Sequence, residues 1–332
     1  MLGLADYVRQ TTVHSLVVLL LGEALLCVWA LNRPRLRYEM RLLAFFLPPV
    51  AYLGFSVLAP ERWRDHFAAD VVLLDTRPWL TGSTGVPALL SAAWIALVLV
   101  TVGLYLLQLW LFVRQRQASR EGQPARPGDW PRLDAALAQL RLGSKPRAPA
   151  IHVIDAQAPV LYALGGARPG IAVSSGLMAA LDRQELAAAL AHEDAHGRPE
   201  AKWMRWLAWC GRTVMLYNPV AVVALRQALH EVEALCDESA GRETGHPLAC
   251  ASALIKVWQL ANARSGCASW AGWRQALIAR TEALQEQGEQ ATVEDRVERL
   301  LRGPGNEKEA EWQWLRLAAT TIASLGLMYL IL

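Results

Sequence analysis

Apolar residues gather into four long runs, and a long region with helical spacing of its apolar positions lies between the third and the fourth. Val13 to Leu31 is long enough to span a bilayer core of ~30 Å at helical rise. Leu42 to Ala59 is a second run, and its Pro48-Pro49 pair predicts a kink. Val86 to Val113 is unbroken by charge. Leu317 to Leu332 closes the chain behind Trp312 and Trp314, residues that favour a membrane interface. The first run resembles a signal peptide in position, but it is long, lacks a small-residue cleavage site and precedes further spans, so it reads as an anchor. The pattern predicts a mostly α membrane protein with four transmembrane helices, at about 13–31, 42–59, 86–113 and 312–332.

Arginine position gives the expected orientation. Arg33, Arg35, Arg37 and Arg41 crowd the short connection between the first two runs, and Arg114, Arg116, Arg120 and Arg126 follow the third. Arg62, Arg64 and Arg77 in the loop from Glu61 to Pro87 are more dispersed and offset by acids. The positive-inside rule then puts both termini outside and the region after Val113 in the cytoplasm. The expected division is a membrane region over 1–113, a linker over 114–129, a cytoplasmic domain over 130–311 and a final span over 312–332. Glu23, in mid-span, costs on the order of 2.5–3.5 kcal/mol if charged. It pairs across helices, takes part in signalling, or is a protonated packing group.

Within the central region, Trp130 to Leu142 has the period of an amphipathic helix. Ile151 to Gln157, Val160 to Gly165 and Gly170 to Ser175 alternate in the manner of three short strands. Asp182 and Glu185 form a capping box for a helix over Arg183 to His196, which Gly197 and Pro199 stop. The remainder, from Pro199 to Arg302, is helical by periodicity, with breaks near Asn218-Pro219, Gly241 to Pro247, and Gly266. Arg198, Lys202, Arg205 and Arg212 recur on one side of a helix whose Trp203, Trp206 and Cys210 lie elsewhere. Three readings stand for Pro199 to Leu229: a helix in the lipid headgroup layer, a core helix, or a partly inserted hairpin turning at Asn218-Pro219.

The chain of 332 residues is 54% hydrophobic, too apolar for an ordinary soluble protein of its length. Its net charge of +3 is mild, and no basic run is dense enough to predict direct nucleic-acid binding. The five cysteines show no C-x-x-C spacing, which excludes a disulfide framework and a cysteine zinc knuckle.

The candidate chemistry lies in LAAALAHEDAHGR, Leu186 to Arg198. His192 and His196 share one helical face and can bind one ion, while Glu193 reaches a water on that ion as general base, the H-E-x-x-H arrangement. A catalytic zinc takes a third protein ligand and keeps a position open for water. In HEVEALCDESA, His230 to Ala240, Glu233 is the candidate third ligand, and Asp237 accepts the free N–H of a ligand histidine. Cys236 is either a thiolate ligand or a small buried side chain. Glu231 and Glu238 read as solvated acids or ion-pair partners, and His230 as an oxyanion stabiliser or a solvent-facing residue. The strand Ile171 to Ser175, just before the zinc helix, is either an edge for an extended substrate backbone or mere packing for the helix.

The order of spans, ARPGIAVSSGL, HEDAH, Asn218-Pro219, EALCD and VEDRVERLL resembles the BlaR/MecR-type membrane metallopeptidases, the beta-lactam sensor–transducers. The H-E-x-x-H plus E-x-x-x-D pair is shared with the HtpX and CAAX prenyl protease families. The resemblance implies a zincin-like α+β metalloprotease domain between the third and fourth spans, with His192, His196 and Glu233 as zinc ligands and Glu193 as base. It implies a multi-pass protein of the bacterial inner membrane, active on the cytoplasmic side. The implied substrate is a cytoplasmic protein such as a BlaI/MecI-like repressor, with self-cleavage and oligomerisation in keeping. Antibiotic sensors carry a penicillin-binding domain after the fourth span, where this chain stops, so antibiotic recognition within this polypeptide is not expected. An HtpX-like quality-control protease and a non-catalytic receptor or scaffold with a structural metal are the alternatives.

Overall fold

The computed structural model describes residues 3–64, 67, 70–76, 86–118, 123–124, 128–140, 149–157, 159–164, 170–262, 292–303 and 312–332. Arg120, Arg126 and the break expected at Gly266 lie outside the described residues. The chain divides into two compact units: Met1–Arg116, Met204–Val232 and Gly305–Leu332 form one, Gln117–Trp203 and Glu233–Pro304 the other.

In the first unit, α1 (Leu4–Val28) and α2 (Pro34–Leu58) are each long and apolar enough to cross a membrane. They pack against each other and against α11 (Gln313–Tyr329). Helix α1 begins well before the apolar run, and the polar residues of its early turns are buried. Thr11, Thr12 and Ser15 donate to carbonyls three or four residues back, and His14 Nε2 lies 3.1 Å from the Ile331 carbonyl. Such local bonds let hydroxyls enter an apolar bundle without orphaned donors. Pro48 and Pro49 sit inside an unbroken α2. Helix α3 (Val86–Ala118) shows bare apolar side chains over much of its length, among them Leu89, Leu99, Val100 and Trp110. The fully buried Arg62, in the turn Pro60–Trp63, donates to the carbonyls of Met328, Tyr329 and Ile331. A cation at a helix C-terminus meets the negative end of the peptide dipoles.

Helices α7 (Pro199–Val214) and α8 (Pro219–Thr244) meet at a turn that is knitted into this unit. Tyr217 Oη is 2.9 Å from Thr11 Oγ1, and the Asn218 amide donates to Ser15 Oγ at 2.9 Å. Asn218 also accepts from the Val220 N–H, capping α8. Arg212 is fully buried, donates to the carbonyls of Leu216 and Thr101, and stacks over Tyr105. The expected basic stripe is therefore no single lipid-facing row. Arg212 turns into the bundle, whereas Arg198 ties to Ser239, Asp194 and Glu243 in the other unit. These contacts hold the turn at Asn218-Pro219 in the interior of the unit.

The second unit is built on a four-stranded sheet, β1 (Gln123–Pro124), β2 (Ala150–Ile154), β3 (Leu161–Leu164) and β4 (Gly170–Ser174), in the order β1-β2-β4-β3. Strands β2 and β4 are parallel, β3 and β4 antiparallel. The strand expected as an edge beside the cleft, Ile171 to Ser175, is thus central and buried throughout. Its place is taken by β3, which returns along it and packs against α6 (Arg183–Gly197). Helix α4 (Pro131–Leu140) buries Leu133, Ala136 and Leu140, the expected helical stripe. With α9 (Pro247–Asn262) and α10 (292–302) it encloses a core of Ile171, Val173, Leu177, Leu186, Leu190 and Leu300.

At the start of α5 (Ser175–Ala180), a Cβ on Gly176 would lie 2.3 Å from the Gln157 carbonyl oxygen, a backbone atom that cannot swing aside. Gly176→Ala is expected to destabilise this unit by about 1–3 kcal/mol, read as a lower midpoint in thermal denaturation.

Candidate metal centre

Helix α6 is fixed at its start before any chemistry is added. The Asp182 side chain accepts from the N–H groups of Gln184 and Glu185, both at 2.8 Å, and Glu185 accepts from the Asp182 N–H at 2.8 Å. This is the expected capping box. Glu185 is clasped further by Ser252 at 2.6 Å and Lys256 at 2.7 Å, both on α9. Beyond the cap, Leu186 to Ala191 are all buried. Alanine on nearly every side lets neighbouring helices and strands approach closely, so the helix is embedded rather than laid on a surface.

The last two turns of α6 present His192 and His196, and α8 presents Glu233. Nε2 of His192 and Nε2 of His196 are 3.0 Å apart. Glu233 Oε2 lies 3.5 Å from the first and 3.3 Å from the second. Donor bonds of ~2.0–2.1 Å at tetrahedral angles put neighbouring ligand atoms about 3.3 Å apart, so this triangle has the size of one face of a zinc polyhedron. Among the described residues these three side chains form a group able to hold a metal ion.

The far side of each ring is also held. Asp237 Oδ1 lies 2.9 Å from Nδ1 of His192, close though not squarely aligned with the N–H. Cys236 Sγ is 3.2 Å from Nδ1 of His196. The thiol is buried as expected of a small side chain, and it faces the nitrogen opposite the ligand atoms. Arg296, on α10, clamps Asp237 in a two-pronged pair, Nε to Oδ2 at 2.6 Å and Nη2 to Oδ1 at 2.8 Å, and reaches within 3.8 Å of Glu233. Sequence reading assigned Arg296 no role. Its only signal is its place in VEDRVERLL, a segment singled out by resemblance alone.

The electrostatics favour a cation. Burial works against ionised Glu233, but His192 and His196 outweigh it and hold its carboxyl well below the usual range. Burial likewise opposes ionised Asp237, and Arg296 overrides it. For His192 burial pulls down, while Asp237 and Glu233 hold the pKa up, at about 9. A cation entering this group meets ionised carboxylates and takes the place of the imidazole's proton.

The BlaR1 peptidase M56 profile matches residues 63–284, well over half of the chain and including both halves of this site. The chain belongs to the BlaR1 peptidase M56 family. It is also similar to two proteins named protease HtpX homolog. One, from Acidiphilium cryptum, is 28% identical over 204 residues, covering 52% of this chain and 71% of the relative. The other, from Thermococcus kodakarensis, is 27% identical over 170 residues, covering 40% of this chain and 59% of the relative. These likenesses and the two long apolar helices make the chain a membrane metallopeptidase.

In this M56 peptidase Glu193 is half-buried and directly follows His192 on α6. His230 is half-buried, belongs to the other unit, and is not among the three grouped side chains. Glu231, expected to be solvated or ion-paired, is fully buried and ion-paired. Glu238 pairs with Arg242 at 3.5 Å.

Two outcomes follow from these contacts. Arg296→Gln removes the clamp on Asp237 and is expected to weaken metal affinity about 10–100-fold, measured by competition with a chelator. Glu185 is affected first by burial, which raises its pKa, but the bonds from Lys256, Ser252 and the Asp182 N–H bring the net value below the ordinary 4.5. The stabilisation is therefore present above the ordinary value and lost as pH falls through the lower folded one. The difference in melting temperature between the native protein and Glu185→Gln is expected to be full at neutral pH and to shrink on acidification below 4.5.

Proposed function

We propose that the protein is a zinc-dependent endopeptidase held in a bacterial inner membrane by four helices, cleaving proteins on the cytoplasmic side. The observation that carries the chemistry is the triangle of His192 Nε2, His196 Nε2 and Glu233 Oε2, with separations of 3.0, 3.3 and 3.5 Å. These three residues would hold the ion, with a fourth position left for water. When bound, zinc supplies Lewis acidity and lowers the pKa of a bound water toward ~7.

Glu193 acts as general base, taking a proton from the water and passing it to the leaving amine. Asp237, steadied by Arg296, keeps the His192 ring turned so that Nε2 faces the ion, and Cys236 does the same for His196. Strand β3 ends the sheet and packs on α6, so its outer edge is the natural place for an extended peptide to add a strand.

Arg33, between α1 and α2, and the exposed Arg35 in the first turn of α2 support the cytoplasmic orientation, and the apolar lengths of α3 and α11 support the third and fourth spans. The exposed Trp203 and Trp206 of α7 fit a helix close to the interface. The family description favours signal-regulated cleavage of a cytoplasmic repressor of the BlaI/MecI kind, with self-cleavage as a companion reaction. The relatives named protease HtpX homolog favour a second reading, removal of damaged membrane proteins.

Glu193→Gln is expected to lower kcat by about 10²–10⁴-fold while leaving zinc bound, and His196→Ala to abolish binding, as read by metal analysis beside a peptide-cleavage assay. Full activity in Glu193→Gln excludes the enzyme reading and returns the structural-metal scaffold. Proteomic comparison of cells carrying either form separates the substrates. One accumulating DNA-binding repressor supports the first reading, and many accumulating membrane proteins support the second.

A further inference from the structure

Helix α6 is clasped to α9 near its start, but its two histidines sit at the other end. There Arg198 caps the helix, its N–H donating to the Ala195 carbonyl at 3.1 Å. Its guanidinium then crosses to α8. Nη1 donates to Ser239 Oγ at 2.5 Å and Nη2 to Glu243 Oε2 at 2.5 Å, while Nη2 also lies 3.4 Å from Asp194 Oδ2 on α6 itself. Cys236, Ser239 and Glu243 are spaced three and four apart, so they share one face of α8. That face runs along the end of α6: Cys236 Sγ meets Nδ1 of His196 at 3.2 Å, and the other two receive Arg198. All of these residues lie in the second unit, which takes α8 from Glu233 onward.

The metal triangle is built by two helices. Its 3.0 Å edge lies within α6, where one helical turn sets it. Its 3.3 and 3.5 Å edges cross to Glu233 and depend on where the end of α6 stands against α8. Two further contacts cross the same gap, Asp237 to His192 and Cys236 to His196, but both run through the ligand rings themselves. The Arg198 strap crosses it without using a ligand. Its fork also carries direction, because a planar guanidinium with two acceptors is satisfied in few arrangements. Little stability rests on it: 40% of the Arg198 side chain is exposed, and ion pairs open to water add little. Geometry is the better reason, since a displacement of about 1 Å at a catalytic centre can cost about 10²-fold in rate.

We propose that Arg198 is a positioning residue for the metal site: by tying the end of α6 to Ser239 and Glu243, it sets the distance between the paired imidazoles and the Glu233 carboxylate. The proposal rests on the reading of His192, His196 and Glu233 as metal ligands. Among the described residues, the side-chain hydrogen bonds of Arg198 go to none of these three, so it acts through the two helices.

The test is the zinc affinity of full-length Arg198→Gln protein in detergent, by competition with a chromophoric chelator, beside its thermal denaturation without metal and its kcat and KM on a peptide. Zinc affinity is expected to fall about tenfold and kcat with it, KM staying near the native value. Arg198→Lys keeps the charge without the fork and is expected to recover part of both. Should Arg198→Gln fail to fold, Glu243→Gln removes the charged acceptor on α8 and is expected to show a smaller loss of the same kind. A folded Arg198→Gln, or failing that Glu243→Gln, that binds zinc as the native protein does overturns the proposal, even where its melting temperature has dropped. Native protein that binds no zinc, or binds it unchanged after His196→Ala, instead overturns the ligand reading beneath it.

Discussion

Two imidazoles one helical turn apart become a single site because each ring is gripped on the side facing away from the other. Asp237 stands behind His192, Cys236 behind His196, and Arg296 stands behind Asp237 with two prongs. Without those grips each ring would rotate among its staggered positions, and the cost of ordering them would fall on metal binding. With them, the ligand atoms are already gathered near tetrahedral spacing. Arg296 also balances charge. Two carboxylates near one cation position repel each other, and a guanidinium beside both lets them stay ionised.

Much of this site was legible in the amino-acid order because its parts are local. The Asp182–Glu185 box, the i, i+4 histidines and the Glu233–Asp237 spacing each act within a turn or two of helix, where spacing translates directly into direction. Arg296 was not legible, since it lies 59 residues beyond Asp237 and only tertiary packing unites them. Strand order was hidden for a related reason. Three short alternating segments announce a sheet, but nothing in their spacing says that the middle one folds back outside the last and becomes the edge. Cys236 takes the buried one of its two readings, yet burial alone does not say which ring its sulfur faces.

The membrane unit shows a different limit. Hydropathy marks where a helix is apolar, and the true start of α1 lies well before that, at Leu4. Its polar early turns are buried through contacts with remote partners, the Asn218 amide and the Ile331 carbonyl among them. Similarly, arginine near a span reads as a marker of sidedness. Arg37 and Arg41 are instead engaged inside the protein, and Arg212 and Arg62 are spent on backbone carbonyls. Composition counts these cations but cannot tell which of them face lipid, water or protein.

The cap on α6 has a consequence of its own. Helix start, buried alanine flank and the Lys256–Ser252 clasp all act at a distance from His192 and His196, and none of them needs an ion. The helix that presents the two imidazoles is therefore anchored at its far end by contacts that owe nothing to an ion.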